Sequence, residues 1–215
     1  FLKKDYVKNK FSSKLIFPEI KNYQKIKKKI KNSYLTSSIN DENMSFIFAF
    51  SKIINISEKS FVNTMKTFKG LPHRFEIFLK KKGLTFINDS KATSFTSAET
   101  AISNLKNIFW ILGGLPKKGD KINLSNHKNN IIKCYLIGKN INFFKKRLKR
   151  KVLFSISKNI KNAIIQILKD YKSYKRDKCS ILLSPAAASY DQFDNFEMRG
   201  IEFKRLSNLY ARKLL

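Results

Sequence analysis

The chain has 215 residues, enough for one large domain or for one domain with part of another. Its 45 Lys and Arg against 15 Asp and Glu leave a formal charge of +30, yet Lys far outnumbers Arg, and both are spread along the chain beside abundant Asn, Ile and Phe. With Gly and Pro scarce, that pattern points to the drift of an AT-rich genome ahead of a nucleic-acid surface, whose readers favour Arg and exposed aromatics.

Nucleic-acid binding is therefore expected to be weak, sequence-independent and steeply salt-dependent, with no specific nucleic-acid partner. No apolar run approaches a membrane span and no signal-peptide core opens the chain, so a cytoplasmic protein with no membrane partner is expected. Phe1 in place of Met suggests a fragment or a processed product.

The first seventy residues differ from the rest. Residues 20–32 are Lys-rich, with Ile26 and Ile30 on one helical face, and read as a solvated surface helix or connector. Ser37 to Asp41 lead into an apolar run, Phe46 to Ile54, of helical length. A second helix over about 57–68 follows from Phe61, Met65 and Phe68. Too few apolar residues are present for an independent core, so the segment reads as the end of a preceding domain.

From Phe75 onward the pattern is regular. Phe75–Leu79 and Leu84–Ile87 flank Lys81-Lys82-Gly83 as a hairpin. Thr96 and Glu99 have capping-box spacing before the stripe Ala98, Ala101, Ile102 and Leu105. Ile108–Leu112, Ile131–Ile137 and Val152–Ile156 are continuous apolar runs, as expected of strands buried on both faces. Ile160 to Tyr171 carry the clearest amphipathic helix, Ile181–Leu183 the last strand and Phe196–Leu214 the last helix. Strands alternating with helices predict an α/β fold: a Rossmann-like, mostly parallel doubly wound sheet with one antiparallel edge strand from the hairpin.

Three apolar runs break into short polar or glycine-rich loops: Asn88-Asp89-Ser90-Lys91-Ala92-Thr93, Gly113-Gly114 with Lys117 and Asp120, and Ser184 to Asp191. In a parallel sheet such loops share one edge and can converge on one ligand. Asp89 alone could be a helix cap and the Gly pair a tight turn; the three together favour a site. The chemistry on offer is anion recognition by Arg74, Lys91 and Lys117, the hydroxyls of Thr93 and Ser189, and the N–H groups of the Gly pair. Gly114-x-x-x-x-Gly119 is followed by Asp120-Lys121, not Lys-Ser/Thr, so it is no phosphate loop. No carboxylate pair, Cys–His pair or metal-ligand cluster is read from the sequence. Cys134 and Cys179 read as buried free thiols. His127 reads as a solvated loop residue, and His73 is as compatible with a structural role as with a functional one.

The motifs GLPHRFE (70–76), NDSKAT (88–93), ILGG with Lys117 and Asp120 (111–120) and SPAAASYDQFDNFEMRG (184–200) resemble the Mur ligases. Within them, the resemblance is to the branch that adds D-glutamate to UDP-N-acetylmuramoyl-L-alanine. It covers the chain from about Leu35 to the end and corresponds to the carboxyl-terminal half. It implies the helical tail of a central ATPase domain over 1–72 and a Rossmann-like carboxyl-terminal domain over 73–215. ATP with Mg²⁺, D-glutamate and the uridine substrate are the implied small-molecule partners of a monomeric enzyme, with the metal ligands outside this chain.

By the same resemblance, Thr93, Lys117, Ser189, Tyr190 and Phe196 line a D-glutamate pocket. Asn40, Asn43, His73, Arg74 and Asp89 lie on the ATP side, and Lys91 and Arg74 are the catalytic cations. Ile39 stands where the family's adenine-side motif has His, and Ser37 near its usual Gly. Without a phosphate loop the chain alone is expected to have no ligase activity. The competing readings are a Mur-type ligase with another amino-acid acceptor, which Tyr190-Asp191-Gln192-Phe193 argues against, and a basic nucleic-acid-binding module.

Overall fold

The computed structural model describes residues 18–32, 35–36, 40–121, 123–174 and 178–215; Ser37 and Ile39 lie outside them. The chain divides into two compact units, residues 1–70 and 71–215.

In the first unit, α1 (Ile20–Ile30), α2 (Asp41–Ile53) and α3 (Glu58–Thr67) are amphipathic. Contrary to the solvated helix expected for residues 20–32, α1 is a core element, with Tyr23, Ile26 and Ile30 buried on one stripe. They pack with Leu35, Met44, Phe48, Phe61 and Val62 into one cluster, so this unit does have a core of its own. The positions recur every three or four residues, and lysines occupy most of the other positions, which is why charge masked the stripe. Ser57 caps α3 by accepting from the Ser60 N–H.

The second unit is a six-stranded sheet in the order β1-β2-β6-β3-β4-β5. Its strands are β1 (Glu76–Lys81), β2 (Leu84–Asn88), β3 (Ile108–Gly113), β4 (Ile131–Ile137), β5 (Phe154–Lys158) and β6 (Cys179–Leu183). The β1–β2 hairpin is antiparallel and every other pairing parallel, which is the mixed sheet the alternation predicts. The helices are α4 (Phe95–Ser103), α5 (Ile141–Leu148), α6 (Ile160–Ser173) and α7 (Phe196–Leu214).

Two cores result, one on each face. Trp110, Leu112, Leu136 and Leu182 pack with residues of α4 and α5, whereas Phe109, Ile111, Ile181 and Leu183 pack with residues of α6 and α7. The alternation along β3 and β6 is the two-residue strand period, with both faces apolar because both are covered. Cys134 and Cys179 are buried and outside any disulfide.

Four local expectations change. The α4 cap is Ser94, whose Oγ accepts from the Ser97 N–H, and not Thr96. β5 is shifted to 154–158 and is half-exposed, because as an edge strand it pairs only with β4. The lysine-rich α5 has no counterpart in the sequence reading; only Phe144 and Leu148 of it are buried. His127 is half-buried, its Nε2 3.9 Å from Glu99 Oε1, and caps a short 3-10 turn.

Candidate functional site

The carboxyl ends of the parallel strands meet at one edge, and backbone hydrogen bonds join the loops that leave them. The Asp89 N–H donates to Leu183 O at 2.8 Å, and the Ala186 N–H to Ala92 O at 2.9 Å. These two bonds place the loop after β2 beside the loop after β6. The Gly113 N–H donates to Pro185 O at 2.9 Å, while Leu115 and Ala188 exchange a pair of bonds at 2.9 and 3.0 Å. That bridge fastens the loop after β3 to the other side of the β6 loop.

The approach demands glycine at Gly113 and Gly114. Both hold φ near +137°, and a Cβ there would lie 2.0 Å from Ile137 O and 2.2 Å from Ala188 O. Ala186 sits at φ 56°, with only a methyl group to accommodate in the left-handed region.

A fourth loop joins them. Gly138 follows β4, and a Cβ on it would meet the Asp191 carboxylate at 2.3 Å. The Lys139 N–H donates to Asp191 Oδ2 at 2.7 Å, and Asn140 Nδ2 to Gly114 O at 3.1 Å. The signal was present in the sequence, since Ile131–Ile137 also ends on a glycine. Asp120 acts at a distance: its Oδ2 accepts from the Phe95 N–H at the start of α4, which ties the 113–120 loop to the segment just after Thr93.

At the β2 end, Asp89 is nearly buried. Its Oδ1 accepts from the Phe75 N–H at 3.1 Å and its Oδ2 from Ser184 Oγ at 2.7 Å. Burial pushes its pKa up to about 6, against the downward pull of those two bonds and of the Arg74 charge. Arg74 itself is exposed.

His73 is locked into the framework. Asn88 Nδ2 lies 3.0 Å from its Nδ1, its own N–H donates to Glu76 Oε2 at 3.1 Å, and a Cβ on Gly200 would collide with its ring. Glu76 also accepts from Asn88 and Lys204. Burial raises its pKa, but those bonds outweigh it and hold the carboxyl below its ordinary value.

The first turn of α7 grips the NDSKAT loop. Asn195 caps the helix by accepting from the Met198 N–H. Ser90 Oγ donates to Phe196 O at 2.8 Å, and the Lys91 ammonium stands 3.9 Å over the centre of the Phe196 ring. The His73 ring meets the same aromatic edge-on at 6.0 Å.

Of the residues singled out in this unit, Thr93, Phe196 and His73 are half-buried, Ser189 is buried, and Lys117, Lys91 and Arg74 are exposed. Tyr190 is 72% exposed. In the amino-terminal unit, Asn40 precedes α2 at its N-cap and Asn43 is exposed in its first turn. The sequence reading gave no role to Ser90, Ser184, Gly138 or Arg199, each of which joins loops at this edge. Among the described residues, no group of three or more His, Cys, Asp or Glu side chains could hold a metal ion. No helix among them is long and apolar enough to cross a membrane.

No protein-family model matches the chain. It is 36% identical to the UDP-N-acetylmuramoylalanine–D-glutamate ligase of Rickettsia felis over 85% of its own length and 41% of that protein. It is 37% identical to the ligase of the same name from Wolbachia pipientis wMel, over 85% of the chain and 37% of the relative. The Rhizobium meliloti ligase matches at 37% over 76% of the chain and 35% of its own length. Among solved structures, MurF from Acinetobacter baumannii superposes with a TM-score of 0.56 at 13% identity, over 82% of the chain and 38% of that protein, a likeness of fold alone. The chain thus spans about two fifths of the length of these curated relatives, and over that span it is similar in sequence to ligases of this name from several bacteria.

Proposed function

We propose that the chain is the carboxyl-terminal part of an ATP-dependent ligase that joins D-glutamate to UDP-N-acetylmuramoyl-L-alanine in peptidoglycan synthesis. In this reading residues 1–72 end a central ATPase domain and residues 73–215 form the last domain of a cytoplasmic monomer. The observation that carries it is the fastening of the 88–93, 113–120 and 184–191 loops to one another at one sheet edge. That edge is where open α/β sheets bind ligands.

In this reaction the γ-phosphoryl group of ATP passes to the carboxylate of the uridine substrate, giving an acyl phosphate and ADP. The D-glutamate amine then attacks the acyl carbon, and inorganic phosphate leaves as the amide forms. Lys117 and the hydroxyls of Thr93 and Ser189 suit an acceptor with two carboxylates, because a cation and neutral donors hold the anions without engaging the amine. Phe196 supports Lys91 from below, and Tyr190 lies at the outer rim. Arg74 and Lys91 suit the phosphates, with His73 as the rigid packing beside them. Each Asp89 oxygen keeps a lone pair beyond its bond to Phe75 or Ser184, which suits a ribose hydroxyl. Asn40 and Asn43 are assigned to the adenine side. Mg²⁺ would neutralise phosphate charge, and no ligand for it is assigned to this chain.

The test is a titration of the 215-residue chain with D- and L-glutamate, followed by NMR. Binding should favour the D enantiomer, and Lys117→Ala should weaken it roughly ten- to a hundredfold, as for the loss of a charge-assisted hydrogen bond. Ser189→Ala should act in the same direction but less. ATP affinity should be unchanged in both. Equal binding of the enantiomers, or a Lys117→Ala chain that binds D-glutamate normally, would overturn the assignment.

A further inference from the structure

Arg199 is a buried guanidinium held only by neutral acceptors. It lies in the first turn of α7 and is 1% exposed. Its Nε donates to Ser90 Oγ at 3.0 Å, one terminal nitrogen to Ala187 O at 3.0 Å and the other to Ser90 O at 2.8 Å. The carboxylate that acts on it electrostatically is Asp191, whose Oδ2 already accepts from the Lys139 N–H. Burial draws the Arg199 pKa down to about 10, so the side chain keeps its charge at neutral pH.

Burying a cation without a paired anion is expensive, and apolar side chains of similar volume usually serve a fold at least as well. A purely structural clamp between two loops therefore has no need of a charge. The acceptors show what the charge lies behind. Ser90 sits between Asp89 and Lys91 in the loop that ends at Thr93, and Ala187 precedes Ser189 by two residues. One cation thus fastens both loops that carry hydroxyl donors of the candidate site. It also places positive charge behind them that no carboxylate hydrogen bond neutralises.

We infer that Arg199 is a positioning residue of the acceptor site: it keeps the 88–93 and 184–191 loops in register and contributes the positive potential that selects a dicarboxylate. The inference rests on the D-glutamate reading above. It makes two separable demands, one on geometry and one on charge. Arg199→Lys keeps the charge but loses the planar three-point clamp, whereas Arg199→Met keeps the volume and loses both.

The experiment compares D-glutamate with D-glutamine, which has one carboxylate fewer, as ligands of the wild-type chain and of both variants, with thermal unfolding recorded alongside. Wild type should prefer D-glutamate. Arg199→Met should lose at least tenfold of that preference, while Arg199→Lys should bind both ligands several-fold more weakly and keep the preference. If Arg199→Met does not fold, Arg199→Lys decides alone by retaining or losing the preference. Equal weakening of both ligands in Arg199→Met, or loss of preference in a folded Arg199→Lys, would overturn the charge role. Unchanged binding in both variants would overturn the whole inference. A wild-type chain that binds no D-glutamate would instead remove the functional reading on which it stands.

Discussion

In α2 of the amino-terminal unit, Phe48 is 8% exposed and Phe50, two residues on, is 60% exposed. In β3 of the carboxyl-terminal unit, every residue from Ile108 to Gly113 is buried. The run Phe46–Phe50 of α2 is as apolar throughout as Ile108–Leu112 of β3, so local composition does not explain the contrast. A central strand in a sheet with helices on both faces has a core on either side. Among the described residues, three helices around one cluster have a single inside, and Phe46, Ile47, Phe50 and Ile53 on the far face of α2 are exposed. The number of covering layers decides burial here, and it decides which substitutions each unit tolerates.

The contrast would be sharpened most by Gly113→Ala. The new methyl group would meet Ile137 O at 2.0 Å on a backbone at φ +137°, so strain and overlap combine. A loss of about 4 kcal/mol is expected in denaturant unfolding of the carboxyl-terminal unit. A chain as stable as wild type would show that the β3 and β4 ends do not approach this closely.

Phe48→Ala comes next, because it empties part of the amino-terminal cluster where Phe48 and Phe61 rings lie 5.1 Å apart. It should cost that unit about 3 kcal/mol. An effect below about 1 kcal/mol would mean that the helical unit lacks a packed core, and the comparison would fail on that side.

A smaller effect belongs to Asp89. Its folded pKa of about 6 lies above its ordinary value, so the folded state binds this proton more tightly than the unfolded chain does. The stabilisation is fully present below about pH 4 and is lost as pH rises through about 6, amounting to about 2–3 kcal/mol. Asp89→Asn should remove that portion of the pH dependence. Melting temperatures of both chains between pH 4 and 7 provide the check: parallel curves would show that Asp89 titrates normally and is not enclosed by Phe75 and Ser184.

Phe50→Ser, on the exposed face of α2, should change stability by no more than about 0.5 kcal/mol. A loss of 2 kcal/mol or more would show that this face is covered in solution, and would break the comparison at its premise.

Much of the fold was legible before any coordinates. The apolar runs at Ile108, Ile131 and Ile181 are strands, and the last helix spans Phe196–Leu214 as its pattern predicts. Those runs sit in central strands, where burial on both faces leaves an uninterrupted signal. β5 was misplaced by two residues because an edge strand lacks that signal, and α5 was missed because it is short and buries only Phe144 and Leu148. The three polar loops were legible as a group, since each follows an apolar run. The fourth, at Gly138, carries the same signal without a conspicuous polar cluster after it.

The sequence by itself determined most of the elements and their order, three of the loops that leave the sheet and the motifs that resemble the Mur ligases. These are local signals, set by side-chain periodicity and by short breaks in it. Only the tertiary structure decided that β6 lies between β2 and β3, and with it which loops touch. The bonds from Ser184 to Asp89 and from Arg199 to Ser90 join residues 95 and 109 positions apart. No local pattern encodes such pairs, because they exist only once the strand order has brought distant segments into hydrogen-bonding range.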